Sequence, residues 1–314
     1  MIIDKILKRN CIHYYFGRNN KPAVAMASGE TILVEAERAD SMYLNEDRPV
    51  FNNRNEVMVN GPNPVTGPIF IEGAIPGDRL LVTILDIKPC PDGSLGYVTY
   101  VDGQGALMNP YTLNAGHDPS TVWCRMEDKR IILKLGVKDV VLPVEPFIGT
   151  IGVAPPEERR ASYWNGQEFA GNIDCPSLKV KSTIVLPVHV EGALLSLGDI
   201  HARQGHGEIA GCAIECRGDA LIRVEVVKGE NSEYYEWPQV NTAEYIGSVG
   251  CIMNSLDKAV QAATYDLLRR LELYYGFSTM DAYLLLGQCV EFEICQMTNP
   301  FCCCLAKINR RYIS

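Results

Sequence analysis

Basic residues are the scarce charge in this 314-residue chain: 29 Lys and Arg stand against 38 Asp and Glu, a formal net charge of −9. That balance argues against a nucleic-acid or anionic-membrane partner, since either needs a basic face. It leaves room for a small neutral or cationic substrate. No apolar run reaches the length of a membrane span. Asp4, Lys5, Lys8 and Arg9 break up Met1–Gly17, so no secretory leader is expected there. No G-K-[ST] follows a Gly-rich loop and no G-x-G-x-x-G opens a helix, which removes nucleotide binding from the expectations. The 12 Cys are irregularly spaced, and no C-x-x-C meets a second such pair. A cysteine zinc site is therefore not expected. The thiols read as small buried apolar groups in a reduced, cytoplasmic protein.

The composition, 47% hydrophobic and 21% charged, is that of a globular protein long enough for one large domain or two. Most of the chain reads as β. Thr31–Glu37, Ile69–Ala74, Leu80–Ile87, Arg130–Leu135, Val140–Val144, Val180–Glu191, Ala193–Leu197 and Leu221–Val227 are short β-rich runs between turn residues. Asn60–Pro68 has too much Pro and Gly for a regular element and reads as a loop. Lys88–Asn109 also reads as loop-rich, and Asp118–Asp128 as a weakly marked linker. Gly149 and Gly152 in Phe147–Pro156 suggest backbone packed closely against something. Only the end is clearly helical. Leu256–Tyr275 carries apolar residues at 256, 260, 263, 267, 271 and 274, with Ser255 to cap its start and Gly276 its end. A second helix is expected from Thr279 to about Leu286, then a strand over Val290–Gln296. Strands first and a helical hairpin last predict an α+β, β-rich fold with a large β-sandwich-like core. We expect residues 1–314 to form a single unit, β-rich over 1–250 and closing with the hairpin and a final strand over 251–314.

The chemistry concentrates in Leu197–Glu215, LGDIHARQGHGEIAGCAIE, which holds Asp199, His201, His206, Glu208 and Glu215 among four Gly. Gly lets the backbone bring several charged groups to one point. Asp199 and His201 are two apart, so a strand continued through them projects both from one face. Asp, His and Glu are good ligands for zinc or a similar divalent ion. Asn172 and Asp174 repeat the two-residue spacing in a distant segment. Glu37 and Asp40 are further candidates for the site, with a solvated strand edge as the favoured reading. His189 and Glu191 alternate with Val188 and Val190 as an outer polar face, and His13 and His117 read as surface residues.

Four stretches then carry a resemblance: NPVTGPIFIEGAIPGDRLLVTILDIKP (Asn63–Pro89), FIGTIGVAP (Phe147–Pro155), GNIDC (Gly171–Cys175) and STIVLPVHVEGALLSLGDIHARQGHGE (Ser182–Glu208). In this order, with the closing hairpin and TNPF (Thr298–Phe301), the chain resembles the acetamidase/formamidase family. The resemblance implies a β-rich fold, divalent metal ions (commonly zinc, sometimes calcium), and hydrolysis of small linear amides to a carboxylic acid and ammonia. It also implies homodimers or higher oligomers. The family usually reads QGDGE where this chain has Gln204-Gly205-His206-Gly207-Glu208, so His206 stands in place of an Asp.

With that resemblance, Asp199 and His201 are assigned as metal ligands, and Asp174 as the candidate from a distant segment. Glu215 is a further ligand or a group behind the ligands. Glu208 is the general base, and His206 a ligand or proton carrier. The expected partners are a small amide and a second copy of the chain. An ion with an open position would polarise the carbonyl and activate water. Cys175 is a rival nucleophile, but Ile173 and Pro176 offer it no base, so it reads as a structural thiol. The Gly/Ser-rich segment of serine-type amidases is missing. Two other classes remain: a metal-dependent oxygenase on a β-barrel, and a non-catalytic sandwich module with a structural ion.

Overall fold

A computed structural model describes residues 3–39, 63–100, 105–107, 121–229, 237–298 and 301–314. The long strand Arg79–Pro89 alternates buried and half-buried residues, as a strand with one face in the core should. It lies between Thr183–Pro187 and Gly218–Val227 in a nine-stranded sheet. A twelve-stranded sheet is built around Leu195–Arg203, which pairs antiparallel with Phe147–Gly152, Val65–Ile71 and Ile214–Cys216. Apart from Arg203, every residue of Leu195–Arg203 is buried. Both of its faces are covered, so the strand shows no polar alternation.

The two sheets share one core: Ile32, Val82, Ile84 and Ile222 from the first pack with Ile69, Ile148, Leu197 and Ile200 from the second. The fold is the expected β-rich α+β arrangement. The helices Leu256–Tyr275 and Thr279–Cys289 come before the last two strands of the nine-stranded sheet, Glu291–Gln296 and Phe301–Asn309. Ser255 accepts the Lys258 N–H at the first cap, and Gly276, at φ 73°, ends that helix in the left-handed region. Ala263, Leu267, Leu271, Ala282 and Leu286 form a second core with Ile246, Ala306 and Ile308 of the nine-stranded sheet. Among the described residues no helix is long and apolar enough to cross a membrane.

Several local expectations fail for one reason: pairing partners far away in sequence. The Pro- and Gly-rich Val65–Pro68 is the start of the strand Val65–Ile71, not a loop. Its ladder shifts register between Leu195 and Leu197, and such an irregularity accommodates a proline inside a sheet. Gly96–Thr99 is a strand within the region read as loop. Thr121–Glu127, inside the expected linker, is a strand between Gly96–Thr99 and Arg130–Leu135. His13 is half-buried and engaged, not free on the surface. Its ring nitrogens lie 2.8 Å from the Tyr15 carbonyl and 3.0 Å from Ser196 Oγ. Asp40 and His117 lie outside the described residues.

The first helix sits on the sheet at Gly250, where an added Cβ would lie 2.2 Å from the Ala259 carbonyl oxygen and 2.7 Å from the Ala263 nitrogen. Backbone on both sides leaves little to yield. Gly250→Ala is expected to destabilise the fold by about 3 kcal/mol, at the upper end of the usual overpacking cost. Urea unfolding measures it; an unchanged midpoint would show that the helix shifts at no cost.

Candidate metal and active site

Five ionisable side chains from four segments converge here. Asp199 and His201 come from the strand Leu195–Arg203, Asp174 from the turn after Ala170–Asn172, Glu208 from the 3-10 turn His206–Glu208, and Glu215 from Ile214–Cys216. His201 Nε2 lies 3.2 Å from Asp199 Oδ1 and 3.3 Å from Glu215 Oε1. One donor atom each from Asp174, Asp199 and His201 falls within a 4.8 Å sphere of mutual distances, and so does one each from His201, Glu208 and Glu215. All five residues are buried, with Asp174 and His201 only 1% exposed.

The backbone is strained to achieve this. Asp174, Asp199 and Glu208 all sit at positive φ, at 46°, 55° and 47°. Non-glycine residues there cost free energy and persist where the surrounding structure holds them. The strand Leu195–Arg203 continues through both Asp199 and His201, whose side chains meet at 3.2 Å. Gly149 makes the room. An added Cβ there would lie 2.9 Å from Asp174 Oδ1, 2.9 Å from Asp199 Oδ2 and 2.8 Å from the Asp199 carbonyl.

A polar scaffold holds these side chains in place. Asn63 Nδ2 donates to Asp199 Oδ2 at 3.0 Å, and the Thr150 hydroxyl lies 3.0 Å from the same oxygen. Asn172 Nδ2 donates to Asp174 Oδ2 at 2.8 Å. Gln204 orients the histidine. Its Nε2 donates to the carbonyls of Asp174 (3.0 Å) and Cys295 (2.8 Å), so its Oε1 faces His201 Nδ1 at 2.9 Å as an acceptor. This assigns the Nδ1 hydrogen and leaves Nε2 directed at the carboxylates. Asn63, Thr150 and Gln204 were not foreseen as site residues, although Gln204 lies inside the QGHGE motif.

Four carboxyl groups around one imidazole, out of water, cannot all carry their charge unaided. Burial, with the Glu208 and Asp199 charges adding to it, raises the Asp174 pKa well above the usual carboxylate range. Burial likewise raises Glu215. Glu208 is pushed up to about 8, by burial first and by Glu215 and Asp199 as well, against the opposing pull of His201. Burial works against a charged imidazole, yet Glu215 and Asp199 outweigh it and hold the His201 pKa well above its ordinary value. Asp199, also buried, is nonetheless lowered by its contact with His201.

A divalent cation fits this donor set. Asp174 Oδ1 and Glu215 Oε2 are buried without a hydrogen-bond partner, which a bound ion would supply. The His201-to-carboxylate spacings of 3.2 and 3.3 Å are close to the roughly 3.4 Å expected between nitrogen and oxygen ligands of tetrahedral zinc. His201 Nε2 has one lone pair, so it serves one ion only. Gly149→Ala, which fills the cradle, is expected to weaken metal affinity roughly 10- to 100-fold, the range seen when groups supporting a ligand are altered. Calorimetric titration of chelated protein reads this directly, and unchanged affinity would place the ion elsewhere.

His206 is exposed at the start of the turn and stands outside the cluster. Among the described residues the cluster holds one histidine, whereas the oxygenase alternative needs two on one ion. Glu37 is engaged elsewhere, accepting from Arg217 Nε at 2.8 Å. Cys175 is fully buried, and burial raises its thiol well above the ordinary value. A carboxylate does lie beside it, Glu293 Oε1 at 3.6 Å, which the local sequence did not reveal.

The model of the acetamidase/formamidase family matches residues 6–168 and 161–309 of this chain. The acetamidase of Mycolicibacterium smegmatis is 28% identical over 265 residues, which are 68% of this chain and 65% of that protein. The chain thus spans just under two thirds of that curated relative. The crystal structure of an acetamidase from Bacillus halodurans is 31% identical, with a TM-score of 0.86 and 98% of each chain covered. That of an acetamidase from Yersinia enterocolitica is 27% identical, with a TM-score of 0.87, covering 100% of this chain and 94% of the other.

Proposed function

The chain belongs to the acetamidase/formamidase family, and from that premise we propose that it hydrolyses small linear amides to a carboxylic acid and ammonia. The observation that carries the reading is the pair of unpartnered buried oxygens, Asp174 Oδ1 and Glu215 Oε2, facing the cluster around His201. Asp174, Asp199, His201 and Glu215 would hold the ion. When bound, it supplies a Lewis acid for the carbonyl and lowers the pKa of water. A set of carboxylates with one imidazole suits zinc; calcium, which prefers oxygen ligands alone, suits it less well.

The protein's own part is proton handling and orientation. Glu208 is the base: it takes a proton from the attacking water and returns it to the departing nitrogen. Its Oε2 lies 3.4 Å from the Thr298 hydroxyl, and its turn is tied to the end of the last β-hairpin by the Met297 N–H donating to the Gly207 carbonyl at 3.0 Å. Exposed His206, two residues before Glu208, suits proton exchange with solvent more than metal binding. We also read residues 1–314 as one cytoplasmic unit working as a homodimer or higher oligomer, in line with the resemblance. The test is an anaerobic screen of formamide, acetamide and longer amides for ammonia release. Ammonia without oxygen supports the hydrolase; no release from any amide by metal-loaded protein removes it.

A further inference from the structure

Beside the proposed active site lies a second cluster of side chains able to hold a metal ion. Cys175, next in sequence to Asp174, faces away from it toward Glu293 and Cys295 on the strand Glu291–Gln296. The three ligand atoms lie within 4.8 Å of one another and all three residues are buried, Cys175 and Cys295 completely. No local motif marks this cluster, because Cys175 and Cys295 are far apart and form no C-x-x-C. Cys295 also touches Cys303, which lies 3.1 Å, sulfur to sulfur, from Cys251 across the ladder.

We propose that Cys175, Cys295 and Glu293 form a second metal site that takes a thiophilic divalent ion, zinc, with Cys303 as the nearest further donor. Zinc–sulfur and zinc–oxygen bonds at a tetrahedral centre place the two ligand atoms roughly 3.6 Å apart. Cys175 Sγ and Glu293 Oε1 are 3.6 Å apart. Glu293 is already held in place: Oε1 accepts from the Ser177 N–H at 3.1 Å and Oε2 from the Ser177 hydroxyl at 2.7 Å. Lys307 Nζ lies 3.3 Å from Oε2. A carboxylate has lone pairs enough for these donors and an ion.

Charge closes as well. With Cys303 kept as a neutral thiol by its burial, two thiolates and a carboxylate, against one ammonium and one divalent ion, sum to zero, which suits a buried site. Both sulfurs bind as thiolates, so any thiol proton still held leaves to solvent as the ion enters. Carboxylate in the set favours zinc over copper(I), which prefers sulfur alone. The two sites share a support, because Gln204 Nε2 bridges the carbonyls of Asp174 and Cys295.

The test uses the full-length, reduced, chelated protein titrated with cobalt(II). Thiolate ligands give a near-ultraviolet charge-transfer band that carboxylates and imidazole do not. Wild type is expected to show the band. A Cys175→Ser/Cys295→Ser double variant should lose it together with one equivalent of metal. His201→Ala should keep the band while losing the other equivalent, so failure here is separable from failure of the amidase reading. No band at saturating cobalt, or an undiminished band in the folded double variant, would overturn the site. If the double variant does not fold, zinc-edge X-ray absorption of wild type decides without it. Sulfur neighbours are expected; nitrogen and oxygen alone would refute the proposal.

Discussion

Glu208→Gln is expected to retain metal and fold while lowering kcat by about 10² to 10⁴, the usual contribution of a positioned general base. Gln keeps the shape and an acceptor oxygen but cannot take a proton. KM should change less, because Glu208 acts on the proton and not on substrate binding. His201→Ala is the contrasting variant. Its Nε2 stands between Asp199 and Glu215, at 3.2 and 3.3 Å, so its removal should empty the site and abolish turnover together. Metal content and kcat measured on the same preparations separate the roles. Loss of metal in Glu208→Gln would make Glu208 a ligand. Near-normal turnover would pass the base role to Glu215 or His206.

The second large effect is on stability. In metal-free protein, burial raises Asp174, Glu208 and Glu215 above their unfolded values, and His201 is raised by the carboxylates around it. A raised folded pKa means that the folded state holds a proton the unfolded chain has already released. The associated stability is complete below the unfolded pKa and is lost as pH rises toward the folded one. For Glu208 the window runs from its ordinary 4.5 to about 8, which corresponds to a loss on the order of 5 kcal/mol across it. Chelated protein should therefore melt at a markedly lower temperature at pH 8.5 than at pH 5. Asp199 is lowered, and its opposing contribution falls below that window. A bound cation replaces the protons, so metal-loaded protein should lose most of this slope. Equal slopes with and without metal would mean that no ion sits among these carboxylates.

The parts of the fold written in local sequence were legible. The helix Leu256–Tyr275 has its apolar stripe, its Ser255 cap and its Gly276 stop within one segment, and it begins and ends as expected. The second helix runs three residues past Leu286, to Cys289, through the exposed Gly287 and Gln288, which carry no stop signal. Strands such as Val65–Ile71 and Thr121–Glu127 were obscured, since their partners come from distant sequence and their own residues carry turn or linker composition.

The site follows the same division. Asp199, His201, Glu208 and Glu215 fall in one short stretch, and Asp174 showed itself by its spacing from Asn172. The supports did not, because Asn63, Thr150 and Gln204 act through contacts made only in three dimensions. The strained backbone at Asp174, Asp199 and Glu208 was equally hidden, since none of these residue types advertises a left-handed conformation as Gly does. The Cys175–Glu293–Cys295 cluster lay out of sight for the same reason as the supports: Glu293 is 118 residues from Cys175.

The most direct test of the metal-dependent amidase is one titration. Chelated protein is reloaded with zinc in fractional steps, and bound metal and ammonia release from a small amide are measured on every sample. The account predicts no turnover in metal-free protein and activity that rises with occupancy of the His201 site, following the equivalent that His201→Ala cannot bind. Full ammonia release from protein shown to be free of metal would contradict it.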